Sequence, residues 1–477
     1  MTSELLRHLA AVHTLEQTPA VRDAHLPNAQ QTALCRDVLA QVRTAIQQGL
    51  ITNPQDLGAA VQAQLVQALE MSKGQSLRRV HNGLGILLHT NAGRAPLGAE
   101  ALAAIVETAK GYSNLEFDLQ SGERSSRQDA VKPLLRWLTG AQDALVVNNG
   151  AAAVLLALHA VARGRQVVVS RGELVEIGGG FRIPEVMAAA GCRLHEVGTT
   201  NRTHLSDYEN AGLDAPDVAA WMQVHRANFA QIGFVATPKT SDLAALAHRL
   251  NLPLLVDLGS GALSPLQVAG AELHGDRREP CVSEVLADGA DLVCFSGDKL
   301  LGGPQCGVLV GDKTLIAAAA KAPLARALRV DNLTLAALQT VLSIHFRGDG
   351  ATLPVLAAAA LPQPEVMAIA EALRQQLTLE LGHDWQIDCQ PTQAQLGGGT
   401  DPRVDLPSMG LRMAHTALSA SRLALGLRMA TPPVLSRVRD RMIVLDIRSL
   451  LAGSSDLSTP QLGALLAECL RQAIQPR

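Results

Sequence analysis

Short apolar runs separated by amphipathic stretches dominate the middle of this 477-residue chain. Seven of the runs read as β-strands: Leu145–Asn148, Val167–Ser170, Arg193–Val197, Trp221–Val224, Leu254–Asp257, Leu292–Phe295 and Val308–Val310. Most are nearly continuous in Val, Leu and Ile, the pattern of strands covered on both faces. Helix-like stretches separate most of them, which predicts a largely parallel sheet with helices on both sides, an α/β fold. Ahead of this region, Ala29–Leu50 and Asp56–Met71 repeat apolar positions at helical spacing, punctuated by Asn53-Pro54. Residues 1–72 are therefore expected to form a helical domain, with Ser72-Lys73-Gly74 as a hinge. The sheet region is expected over 73–335 and a smaller C-terminal α+β domain over 336–477. The last carries helices near Val355–Gly382, a glycine run at Gly397–Gly399, and strands around Gly426–Ala430 and Ile443–Ile447.

In open α/β sheets, ligands collect at the carboxyl ends of the strands. Three such ends carry suggestive chemistry. Phe295-Ser-Gly-Asp-Lys-Leu-Leu-Gly-Gly-Pro-Gln305 places Lys299 just past a buried strand, among small residues. A lysine in a water-poor site loses its proton more readily and forms a Schiff base with a carbonyl. By itself, a lysine after a strand is more often an ordinary surface residue. Leu252-Pro-Leu-Leu-Val-Asp-Leu-Gly-Ser-Gly261 ends a strand in Asp257 and turns on glycines. An acid there can hold a pyridine nitrogen protonated, which makes pyridoxal phosphate an electron sink. Asp257 alone is as readily a turn former, whereas Asp257 and Lys299 on successive strand ends are far more specific. Finally, Leu145-Val-Val-Asn-Asn-Gly-Ala-Ala-Ala-Val154 reads as strand, turn and helix start. Free N–H groups at Asn149, Gly150 and Ala151 suit a phosphate, and Ser296 can add a hydroxyl.

Composition narrows the field. Hydrophobic residues make up 47% of the chain and aromatics only 2%, so the core is aliphatic and base stacking on an aromatic surface is disfavoured. The formal net charge of −3 advertises no global affinity for nucleic acid, DNA included. Seven scattered cysteines show no Cys-x-x-Cys pair and no zinc pattern, so no metal is expected. With no signal peptide and no long apolar stretch, a cytoplasmic, membrane-free protein with reduced thiols is expected.

The residues also resemble a known family along nearly the whole chain: bacterial selenocysteine synthase, L-seryl-tRNA(Sec) selenium transferase. The resemblance rests on long blocks: His89-Thr-Asn-Ala-Gly-Arg-Ala-Pro-Leu97, Tyr112-Ser-Asn-Leu-Glu-Phe117, Val169–Gly179, Gly191–Arg202, Val256–Gly261 and Phe295–Gln305. It implies an aminotransferase-like, fold-type I architecture with pyridoxal phosphate on Lys299. It further implies conversion of seryl-tRNA(Sec) to selenocysteinyl-tRNA(Sec), by loss of water to an aminoacrylyl intermediate and addition of selenium from selenophosphate. A ring-shaped homodecamer with sites between subunits, and tRNA docking by the N-terminal helices, belong to the same expectation.

Under this resemblance Arg94, Arg326, Arg329 and either or both of Arg124 and Arg127 surround the donor anion, which suits guanidinium forks. Taken singly, each is more often a surface ion-pair partner. Asp298 either protonates the leaving hydroxyl or orients Lys299, and His225, at a strand end, faces the cofactor ring. The chain departs from the family pattern at Gly150, where an asparagine usually follows Asn149, and at Ser125, which replaces a glycine. Gln223 and Asn332 stand where lysines are usual. The alternative compatible with such departures is a lyase acting on a small phosphorylated amino acid.

Overall fold

The computed structural model describes residues 2–475, apart from 75, 178–179, 215–216, 270–277 and 401. Gly178 and Gly179, the end of one matched block, thus lie outside the described residues. The chain divides after Val80 into two compact units.

In the first unit, the helix Asn28–Gln47 buries Cys35, Val38, Leu39, Val42 and Ile46. That is a single stripe at three- and four-residue steps. The helix Pro54–Ser72 buries Leu57, Leu65 and Leu69 against the same small core. Its start is defined chemically: Asn53 accepts a hydrogen bond from Gln55 N at 3.0 Å, and Pro54 occupies the first helical position.

The second unit holds a seven-stranded sheet made of β1 (Asp143–Val147), β2 (Gln166–Ser170), β3 (Arg193–Val197), β4 (Val218–Val224), β5 (Leu254–Gly259), β6 (Leu292–Ser296) and β7 (Gly307–Gly311). All seven correspond to the runs read from the sequence. Their order is β1-β7-β6-β5-β4-β2-β3, with β7 antiparallel to both neighbours and the remaining pairs parallel. Both faces are buried: Ala144 and Val146 of β1 join one aliphatic core while Leu145 and Val147 join the other. This is the mostly parallel α/β fold of the aminotransferase-like, fold-type I class.

A six-stranded sheet builds the C-terminal part. Its order is His81–Gly83, Val434–Arg439, Met442–Asp446, Asp405–His415, Trp385–Gly397, Ile86–Leu88. Two short strands just after Val80 thus form its edges. The helices Pro354–Ala360 and Gln363–Leu381 and the strand Met442–Asp446 lie where the pattern placed them. The strand expected at Gly426–Ala430 is instead the end of a helix, Ala420–Arg428. Leu423, Ala424 and Leu427 are buried there at helical spacing, and that period wins over the local strand-like composition. The long hairpin Trp385–Gly397 with Asp405–His415 was not anticipated, because the first strand is mostly polar.

Among the described residues no helix is long and apolar enough to cross a membrane. No group of three or more His, Cys, Asp or Glu side chains among them is placed to hold a metal ion. The seven cysteines are free thiols and all but Cys389 are buried. Burial pushes the thiols of Cys192, Cys281 and Cys469 up to about 11, which leaves them unreactive near neutrality.

Candidate active site

Lys299 sits in the turn after β6, and the turn is built from backbone rather than side chains. Gly297 N donates to Cys306 O at 2.9 Å, Gly303 N to Gly297 O at 2.9 Å, and Leu300 N to Ser260 O at 3.0 Å. The lysine is only 6% exposed. Burial lowers its pKa from the usual amine value, opposed by Asp257 and reinforced by Arg94. A neutral, nucleophilic amine is thereby favoured.

Asp257 lies on the neighbouring strand β5, in register with Cys294 of β6 and Val224 of β4. Burial raises its pKa to about 6, against the opposing pull of Lys299 and His225. Two oppositely charged groups are thus both held away from their charged states by lack of water.

These side chains face a cavity of about 290 Å³ lined by Arg94, Asn149, Gly150, Ala151, Asp257, Ser296 and Lys299, together with Phe181 and Gln305. Asn149 caps the helix Gly150–Ala162 by accepting from Ala152 N at 2.8 Å. Gly150 and Ala151 form the first helical turn, whose N–H groups have no partners within a helix, and both line the cavity. A Cβ on Gly150 would overlap the Ser296 hydroxyl, so this departure from the family pattern lets helix start and hydroxyl converge.

Asp298 lies beside this cavity rather than on its lining. Its carboxylate holds Arg94 at 2.8 Å, while its carbonyl accepts from Ala95 N at 3.2 Å. Arg94 itself adopts a left-handed backbone, φ 63°, so the ion pair fixes an otherwise unfavourable turn. His225 borders Asp257: its N–H donates to Asp257 O at 2.9 Å. The ring lines a neighbouring polar cavity with Glu173, Gln223 and Arg226, where its Nε2 lies 3.3 Å from Glu279.

The remaining arginines gather elsewhere. Arg124, Arg127 and Arg329 converge on Glu116 at 3.0, 2.6 and 3.5 Å. Arg329 also bridges Val147 at the end of β1, two residues before Asn149. Arg326 is exposed on the helix Pro323–Ala327. Only Arg94 of the five lines the cavity.

Three residues were not singled out from the sequence. Phe181 and Gln305 line the cavity, and the scarcity of aromatics (6 Phe in the chain) is a signal that could have drawn attention to the first. Gly399, in the C-terminal part, has φ 87°, and a Cβ there would meet the Lys299 side chain at 2.6 Å. The glycine run therefore brings its backbone against the lysine, a contact between residues 100 positions apart that no local pattern announces.

Comparison with known proteins places the chain as a whole. Residues 80–451 match the family described as L-seryl-tRNA selenium transferase. The chain is 44% identical over 475 residues to the L-seryl-tRNA(Sec) selenium transferase of Moorella thermoacetica, covering 99% of this chain and 97% of that one. It is 42% identical over 472 residues to the Desulfomicrobium baculatum protein of the same name, covering 98% and 100%. Among solved structures, a D-glucosaminate-6-phosphate ammonia-lyase shares the fold, with a TM-score of 0.54, 20% identity, and 85% and 99% of the two chains covered. A lysine and a carboxylate buried on adjacent strand ends, carried by a chain this similar over its full length, lead to one assignment: the protein belongs to the L-seryl-tRNA selenium transferase family.

Proposed function

We propose that the chain converts L-seryl-tRNA(Sec) to L-selenocysteinyl-tRNA(Sec) with selenophosphate as donor, in the cytoplasm. The observation that carries this reading is the placement of buried Lys299 and Asp257 on one cavity that also takes in a helix N-terminus.

Those residues fit pyridoxal phosphate. Lys299 would hold its aldehyde carbon, Asp257 its pyridine nitrogen, and Asn149, Gly150, Ala151 and Ser296 its phosphate; the His225 backbone N–H bonds the Asp257 carbonyl at 2.9 Å. Bound there, the group withdraws electrons from the α-carbon of an amino acid.

The chain's own residues supply the rest. The Lys299 amine, its pKa lowered by burial, is placed to take the seryl α-proton. Asp257, buried on the cavity lining, would keep the pyridine nitrogen of the bound group protonated. Asp298 holds Arg94 at the cavity wall and stands next to Lys299 in the chain, where it serves either as proton donor to the leaving hydroxyl or to orient Lys299. Arg94, with Arg124, Arg127, Arg326 and Arg329, offers guanidinium groups to the donor anion. The helical residues 1–72 dock the tRNA. These residues carry four Arg against six Asp/Glu, so no basic field marks them and shape and hydrogen bonding carry that contact. Assembly as a homodecamer completes the proposal.

The test is incubation with seryl-tRNA(Sec), with and without selenophosphate, followed by identification of the amino acid released from the tRNA. Selenocysteine appearing only with the donor is the expected result; serine alone under both conditions sinks the reading. A chain lacking residues 1–72 is expected to lose at least tenfold in tRNA affinity by filter binding or calorimetry, while retaining its cofactor. Unchanged tRNA affinity would remove the docking role from these helices.

A further inference from the structure

The three-arginine cluster already holds an anion of its own. Glu116 Oε1 accepts from Arg127 Nε at 3.0 Å and from its terminal nitrogen at 2.6 Å, and lies 3.5 Å from Arg329. Its Oε2 accepts from Arg124 at 3.0 Å. Both carboxylate oxygens thus face guanidinium groups, and these hydrogen bonds, Arg127 first, lower the Glu116 pKa.

The surroundings are built to hold this arrangement. Ser125 N donates to Glu116 O at 3.1 Å and Phe117 bridges Arg124, so the loop folds back and sets Glu116 opposite the arginines. Arg127 is tied independently by a 2.7 Å bond to Val330 O and its side chain is 15% exposed. Arg124 is 78% exposed, which leaves the cluster open to solvent on one side. The cluster adjoins the end of β1 through the Val147–Arg329 bridge and the 2.9 Å bond from Asn148 N to Leu328 O. It therefore stands at the lip of the strand end that carries Asn149.

We propose that Glu116 is an internal counter-ion seated where a small, multiply charged oxyanion binds, and that the anion must displace it to reach the arginines. This rests on the reading of these arginines as the donor seat. A carboxylate presents two oxygens to a guanidinium fork much as an edge of a phosphate does, so the two compete for the same donors. With Glu116 in place, three guanidinium charges less one carboxylate leave the cluster a net +2. A doubly charged oxyanion therefore has enough opposite charge to displace the glutamate, whereas a singly charged one has less. Arg127, fastened to Val330 O, stays in position during the exchange, while exposed Arg124 is free to follow the incoming anion. Glu116 so acts as a specificity device: it raises the threshold for weakly charged anions.

Inorganic phosphate is the probe, titrated by calorimetry into the full chain loaded with pyridoxal phosphate, so that the cofactor's own phosphate seat is filled. Glu116→Gln keeps size and acceptor but removes the charge. It is expected to bind phosphate about tenfold more tightly, a change of ~1.4 kcal/mol. Its KM for selenophosphate should fall with KM for seryl-tRNA unchanged. Glu116→Ala is the second variant and should shift phosphate affinity in the same direction. Unchanged or weaker phosphate binding in the Gln variant overturns the counter-ion role. Arg329→Ala separates the two levels of the proposal. Loss of phosphate binding there, with no gain in Glu116→Gln, sinks only the glutamate's role. Phosphate binding indifferent to Arg329→Ala removes the arginine seat, and the counter-ion with it.

Discussion

Lys299→Ala is expected to reduce turnover by about 10⁴-fold or more, because one side chain serves both as the attachment point and as the base at the seryl α-carbon. The physical reason lies in its burial. An exposed lysine is an ammonium near neutrality, whereas lack of water around Lys299 lowers its pKa and leaves a larger neutral fraction. Single-turnover assays of amino acid released from the tRNA measure the loss. Pyridoxal phosphate added to the variant should exchange freely on gel filtration, whereas the unaltered chain keeps it through borohydride reduction. Lys299→Met, which preserves most of the buried volume, controls for collapse around the Gly399 backbone that packs on this side chain. Near-normal turnover in a folded Met variant would end the assignment of Lys299.

Asp257→Asn is expected to produce the second largest effect. It removes the buried charge that would pair with a cationic cofactor ring, and losing one partner of such a pair costs about 3–5 kcal/mol. At 1.36 kcal/mol per factor of ten this corresponds to roughly 10²–10⁴ in rate or cofactor affinity. The same carboxyl predicts a pH dependence. Its folded pKa of about 6 lies above the ordinary carboxylate value, so ionising it in the cofactor-free protein opposes folding as pH rises from that value through 6. A bound pyridinium would supply the missing charge. Cofactor affinity should therefore fall as pH drops below about 6, at a limiting slope of tenfold per pH unit, because the protonated acid no longer pairs with the ring. Thermal shifts with and without pyridoxal phosphate at pH 5 and pH 7 check this. A larger stabilisation at pH 5 would contradict it.

Much of this was legible along the chain because it is local. Most of the seven strands of the large sheet are nearly continuous aliphatic runs, and each such run is its own signal. Lys299, Asp257 and Asn149 stand at strand ends, and a parallel sheet gathers such ends on one edge whatever the intervening helices do. Where a local signal was weak or mixed, the reading failed: Gly426–Ala430 is helical because Leu423 and Leu427 share a buried face, and polar Trp385–Gly397 became a strand only through its pairing with Asp405–His415.

The arginines show the other side of the division. Their residue type suits an anion, yet which guanidinium meets which partner depends on how distant segments meet. Arg94 enters the cavity because Asp298, 204 positions away, holds it there. Arg124, Arg127 and Arg329 turn to Glu116, which no composition or spacing singles out. Strand ends and the buried amine and acid follow from short-range pattern, since a strand's burial is written in its own residues. The pairing of charges, the depressed amine and raised acid, and the Gly399 backbone against Lys299 follow only from tertiary packing, because desolvation and ion pairing are properties of a neighbourhood rather than of a segment.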